Sequence, residues 1–167
     1  LMEEEGIKVS NSNLSSESIL GKKSDKLTFH SPKDIGACVA SGSFQVDGMV
    51  VIPCSMSTLG AISHGMPQNL LHRAADVMMK EGRRLILVPR ETPLSAIHLE
   101  NMLRLSRLGV AMVAAMPGFY HKPQSLEDLI DMQVMKVLDS MRLENDLAKR
   151  WGNEEDPSCS VKKFAKL

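Results

Sequence analysis

A doubly wound α/β fold, with a parallel sheet covered by helices on both faces, is what this sequence predicts, and three observations predict it. Three short runs, at 48–53, 85–89 and 110–117, are almost wholly apolar, and each ends at a proline. Strands buried on both faces of a parallel sheet have this continuous apolar character. Segments with helical periodicity separate them, so strand and helix alternate as βαβ units do. Finally, the chemically unusual residues fall where the strands end, the place at which such sheets bind ligands.

The elements follow in order. Residues 1–34 form a polar, poorly specified segment, in which Gly6-Ile7-Lys8-Val9 suggests a short strand and 16–20 one short helix. The α/β domain is expected over 35–151. After the first strand, 69–81 places Leu70, Ala74, Val77 and Met78 on one helical face, with Arg73, Asp76 and Lys80 largely on another. Thr92 followed by Pro93 reads as an N-cap and a first-turn proline, starting a helix that runs to about Leu108, before Gly109. Ser125 with Asp128 three residues on opens a last helix in capping-box fashion. Its apolar positions are Leu126, Leu129, Ile130, Val134, Val137, Leu138 and Met141. Residues 152–167 read as a polar tail.

Bulk composition narrows the function. At 167 residues the chain suits one domain, and 43% hydrophobic with 24% charged residues is ordinary for a globular protein. Twenty basic and twenty acidic side chains cancel, which leaves no basic footprint for nucleic acid. Three cysteines without ligand spacing argue against a zinc site or disulfide framework and fit a reducing, cytoplasmic setting. No apolar run approaches the roughly 18 residues of a membrane span. The twelve methionines read as core filling. The start at Leu1, with acidic Glu3, Glu4 and Glu5, lacks a secretion signal and hints at a chain cut from something longer.

Three loops carry the chemistry. The first, Pro53-Cys54-Ser55-Met56-Ser57-Thr58, puts hydroxyls where a strand ends and a helix begins, which suits either a phosphate or an ordinary helix cap. The second sets Arg90 and Glu91 before a helix: a phosphate-gripping guanidinium beside an acid/base, or a surface ion pair. In the third, Pro117-Gly118-Phe119-Tyr120-His121-Lys122-Pro123, Tyr120 offers an apolar face with a hydroxyl handle, while Phe119 could equally pack the core.

These residues also carry a family resemblance. Ala40-Ser41-Gly42-Ser43-Phe44, Asp47-Gly48-Met49, Pro53-Cys54-Ser55-Met56, Arg73-Ala74-Ala75-Asp76-Val77, the run from Val88 through Arg90-Glu91-Thr92-Pro93 to Leu94, and Phe119-Tyr120-His121-Lys122-Pro123 resemble, in order and spacing, the UbiX-type flavin prenyltransferases. The similarity covers about 35–151. It implies a Rossmann-like (flavodoxin-like), three-layer α/β/α flavoprotein, typically a homododecamer. Such an enzyme joins the dimethylallyl group of dimethylallyl phosphate to N5 and C6 of reduced FMN, without a metal. The prenylated FMN goes to a UbiD-type decarboxylase of ubiquinone or aromatic-acid metabolism. By motif position, Ser55, Met56, Ser57, Thr58 and Arg90 are implied to contact FMN. Tyr120 and Lys136 would hold the prenyl phosphate, with Lys80 reaching it from a neighbouring subunit. Glu91 would assist the departing phosphate, and Trp151 would stand near the site. Lys136 occupies a position where many relatives have Arg, so a point charge replaces a bidentate fork.

The sequence departs from the family at its start. The family's opening strand and Gly-rich turn, which hold the flavin phosphate, have no counterpart here, so the fold is expected to be N-terminally incomplete. A flavin-contacting serine in the next element falls on Ser12, Ser10 or Ser15. The expectation is a partial sequence of an active enzyme, against the alternative of a non-catalytic or weakly active flavin-binding subunit. A related class, peptidyl-cysteine decarboxylases, carries Asn-Met after the proline of the first loop, and Cys54-Ser55-Met56 differs from that.

Overall fold

The computed structural model describes residues 15–148 and 150. The expected strand at 6–9 and Trp151 lie outside the described residues. Helix α1 (Ser16–Leu20) forms where expected, capped by Ser15 and ended by Gly21 in the left-handed region. A 3-10 turn at Cys38–Ala40 then leads to β1 (Gly48–Cys54), α2 (Met56–Ser63), α3 (Leu70–Lys80), β2 (Arg84–Pro89), α4 (Ala96–Arg107), β3 (Ala111–Met112) and α5 (Leu126–Met141).

The three strands make one parallel sheet in the order β1-β2-β3. Val50 pairs with Ile86, and Ile86 in turn with Ala111. Central β2 is buried from Leu85 through Pro89, as its apolar run requires. Alternate residues serve opposite faces. Leu85 and Leu87 join Leu59 and Ile62 of α2, Val77 and Met78 of α3, and Leu105 of α4 in one core. Ile86 and Val88 join Val137 of α5 in a second. Helices therefore cover both faces, and the architecture is the three-layer, doubly wound one expected. Because the strand order advances in one direction, crossovers of one hand place α3 and α4 on the same face.

Two expectations need correction. Helix α4 starts at Ala96, not after Thr92: the Ser95 side chain accepts the His98 N–H, and His98 Nδ1 accepts the Ser95 N–H, closing a capping box. The third strand is two residues long rather than a run to 117. It is an edge strand in this sheet, and beyond it only isolated bonds continue the pairing, from Val113 N–H to Leu87 O and Ala115 N–H to Pro89 O. In α5 the buried residues are Met132, Met135 and Val137, whereas Leu126 and Ile130 are exposed. Helix α3 keeps its expected face, with Asn69 as N-cap. The end of the polar leading segment packs on it, as Leu70 N–H donates to Pro32 O at 2.8 Å.

Candidate functional site

Register puts the three loops at one end of the sheet. Cys54 lies opposite Pro89 in the β1–β2 ladder, so the first and second loops leave adjacent strands. The Ala115-to-Pro89 hydrogen bond, 3.0 Å, brings the third alongside the second. All three emerge at carboxyl ends of strands, which is the binding edge of a doubly wound sheet.

The first loop is the most tightly organised. Ser55 caps α2, its hydroxyl accepting the Thr58 N–H at 3.3 Å. The same Oγ lies 3.0 Å from Ser57 Oγ and 3.1 Å from Thr58 Oγ1. Three hydroxyls thus share one small surface at a helix N-terminus, whose first-turn N–H groups point outward and favour an anion. Met56 packs half-buried against the larger core and anchors the turn. Cys54, just before it, is 1% exposed, and burial pushes its thiol from 9.0 up to about 11. A thiol so placed is inert packing, not a nucleophile.

Arg90 and Glu91 are both exposed on the second loop. Glu91 Oε1 accepts the Thr92 N–H at 3.0 Å, which turns the carboxylate back over its own loop. On the third loop Tyr120 and Phe119 are exposed, so Phe119 does not pack the core. The Tyr120 and His121 rings meet edge to face, 5.7 Å apart at 78°. Both His121 ring nitrogens are enclosed and have no hydrogen-bond partner among the described residues.

Of the remaining described candidates, Lys136 lies on α5 and Lys80 is not gathered there by this chain. Gln133 of α5 donates to Ala114 O at 3.1 Å, and Lys136 follows one turn further along, exposed. Lys80 ends α3, near the amino end of β2, where it pairs with Glu81 at 2.7 Å. That bond and charge hold the Glu81 carboxyl below its usual range. Lys80 can serve the loops only from another copy.

Two features escaped the sequence reading. Buried Ser63 donates to Asn101 Oδ1 at 2.8 Å, tying α2 to α4, the helices that follow the first two loops. Gly118 lies under the Tyr120 ring. An apolar pocket of about 520 Å³, lined by Val46, Gly48, Met49, Leu70 and Met78 among others, lies at the amino end of β1. No group of three or more His, Cys, Asp or Glu among the described residues is placed to hold a metal. Among them no helix is long and apolar enough to cross a membrane.

Hydroxyls, a guanidinium and a carboxylate at the carboxyl edge of a parallel sheet define an α/β protein with a donor-rich loop edge of the kind at which such sheets bind ligands. Comparison with known proteins identifies which kind. The Flavoprotein family matches residues 3–142. The chain is 56% identical over 131 residues, 78% of its length, to the flavin prenyltransferase UbiX of Halalkalibacterium halodurans, of which it covers 64%. Among solved structures it resembles a dodecameric FMN-dependent UbiX-like decarboxylase from Escherichia coli O157:H7, with 57% identity, a TM-score of 0.71, and coverage of 73% of this chain and 66% of that one. It likewise resembles AnUbiX (PadA1), solved with FMN and dimethylallyl pyrophosphate, with 52% identity, a TM-score of 0.72 and coverage of 73% and 65%. This chain belongs to the UbiX/phenylacrylic acid decarboxylase-like flavoprotein family. It spans slightly less than two thirds of the length of the UbiX relative, 64%.

Proposed function

We propose that the chain supplies flavin and prenyl-phosphate loops of a flavin prenyltransferase, which joins a dimethylallyl group to reduced FMN. The observation that carries this is the hydroxyl cluster of Ser55, Ser57 and Thr58, at the start of the helix after β1, whose neighbouring strand β2 leads into Arg90 and Glu91. Its donor chemistry fits FMN, a polar ring system bearing a phosphate: hydroxyls and outward N–H groups for anionic or carbonyl oxygens, a guanidinium beside them, and Met56 as apolar surface. Reduced FMN would supply the nucleophilic positions that accept the prenyl group.

The residues then divide the work. Dimethylallyl phosphate loses its C–O bond, and the electron pair leaves with the phosphate. Positive charge and a proton are needed where that negative charge grows. Glu91 is the proton donor to the departing oxygen, once its carboxyl releases the Thr92 N–H. Tyr120 and Lys136 hold the phosphate, and Lys80 of a neighbouring copy adds a cation. A water-free pocket protects the allylic cation until it is captured. A homododecamer, a cytoplasmic location and a UbiD-type decarboxylase as recipient belong to the same proposal.

The experiment is direct. Incubated with reduced FMN and dimethylallyl phosphate, the protein should yield a flavin heavier by one prenyl unit in the mass spectrum. A parallel reaction with dimethylallyl pyrophosphate tests which donor is used. Tight FMN binding with no change of flavin mass from either donor would sink the transferase reading and leave a flavin-binding protein.

A further inference from the structure

The third loop folds back on itself, and its geometry depends on a side chain that is missing. A Cβ built on Gly118 would stand 2.7 Å from Tyr120 Cε1 and 2.9 Å from Cδ1, and 3.2 Å from Met132 Cε. Real Cβ atoms do not approach ring carbons that closely, so the phenol lies on the bare backbone of Gly118. Met132, 6% exposed, lies beside the same spot from α5. The His121 ring stands edge-on to the Tyr120 ring at 5.7 Å. A hydrogen bond from Lys122 N–H to Phe119 O, 3.0 Å, closes the turn that carries both rings. Backbone and imidazole thus bracket an aromatic ring that is otherwise 58% exposed.

We propose that Gly118 is a positioning residue for Tyr120, fixing the phenol on the loop so that its hydroxyl meets the phosphate of the prenyl donor. The inference rests on the functional reading above, since it gives that hydroxyl a ligand. A methyl group at 118 cannot coexist with the ring where it lies. Tyr120 has two rotatable bonds and open solvent beside it, so the ring swings outward and the fold survives. The hydroxyl travels with the ring. The cost therefore falls on phosphate binding and not on stability, which is the reverse of what a purely structural glycine would show.

The test is a double-mutant cycle with Gly118→Ala and Tyr120→Phe in the full chain, read by calorimetric titration with dimethylallyl phosphate and by urea unfolding. Gly118→Ala should keep the wild-type urea midpoint and weaken dimethylallyl phosphate about tenfold, the scale of one hydrogen bond to a charged group. Tyr120→Phe should weaken it comparably, and adding Gly118→Ala to Tyr120→Phe should change affinity less than twofold. Affinity unchanged in Gly118→Ala, two losses that multiply, a lowered urea midpoint that accounts for the loss, or a wild type that does not bind dimethylallyl phosphate would each overturn the inference. A wild type that binds it with this Tyr120-dependent sensitivity, yet leaves the flavin mass unchanged, would uphold the inference while removing the transferase reading.

Discussion

The two faces of the sheet are packed very differently. Toward α2, α3 and α4, eleven buried apolar residues among those described form one cluster, with Leu59, Leu87 and Leu105 wholly enclosed. Toward α5 the corresponding cluster has three: Ile86, Val88 and Val137. The first two functional loops lead into helices of the dense face. There the hydroxyl cluster and the Ser63–Asn101 bond hold them from both ends. The third loop leads into α5 on the sparse face, where Phe119, Leu126 and Ile130 stay exposed. Its shape comes from local contacts: Tyr120 on Gly118, and the capping box of Ser125 and Asp128. A dense core can hold a reacting group to within a fraction of an ångström, whereas a locally braced loop suits a group that grips and releases a substrate. The dense face should therefore set the rate, and the sparse face the binding of the prenyl donor.

The largest effect should test the packing itself. Leu87→Ala removes a fully buried side chain from the centre of the dense face and should cost about 3 kcal/mol in urea unfolding, within the usual range for such cavities. Val137→Ala, on the sparse face, removes fewer atoms from a site with room to collapse and should cost about 1 kcal/mol. Equal losses would show that the faces are not energetically distinct. Next in size is Glu91→Gln, which keeps the side chain's shape and removes its proton. Transfer to reduced FMN should slow about 100-fold, the low end of general acid catalysis, with FMN affinity within twofold of wild type. A loss confined to KM for the prenyl donor would place Glu91 among the binding groups and erase the division of labour.

Much of this was legible in the sequence, for physical reasons. Strands buried on both faces leave continuous apolar runs, so β1 and β2 were visible, and their terminal prolines marked the loops. The capping pair Ser125 and Asp128 is local chemistry and located the start of α5. The start of α4 was not legible: Thr92-Pro93 has the chemistry of a helix start, but Ser95 and His98 supply the reciprocal cap. The short third strand was not legible, because strand length at an edge depends on neighbours and not on composition. Nor was the Ser63–Asn101 bond, whose partners are 38 residues apart. Gly118 gave no warning either. A glycine after proline reads as a turn, and only the folded loop shows a ring lying on it. The exposed lysines are the opposite case: Lys80 and Lys136 were named from motif position alone, and this chain's own fold does not bring Lys80 to the loops.

Smaller effects sharpen the comparison within the loops. Ser55→Ala removes both a helix cap and the hydroxyl that touches Ser57 and Thr58. Stability should fall by about 1 kcal/mol, as for other lost caps, and FMN should bind more weakly than that loss explains. A drop in stability with unchanged FMN affinity would make the hydroxyl cluster a cap and nothing more.

The smallest expected effect lies on the sparse face and depends on pH. Asp128 accepts the backbone N–H groups of Gln124 at 2.6 Å and Ser125 at 3.1 Å, and these bonds hold its carboxyl below the ordinary aspartate value of 3.8. A carboxylate whose pKa is lower folded than unfolded stabilises the fold fully above the unfolded value. That contribution disappears as pH falls through the lower, folded one. At pH 6, wild type should therefore unfold at a slightly higher urea concentration than Asp128→Asn, in which the amide still caps but carries no charge. As pH drops from about 4 towards 2 the two midpoints should converge, because the wild-type carboxyl is then protonated as well. A gap that persists unchanged into the acid range would mean that shape, and not charge, secures the start of α5. The third loop would then be braced by packing after all, and the contrast between the two faces would be one of degree.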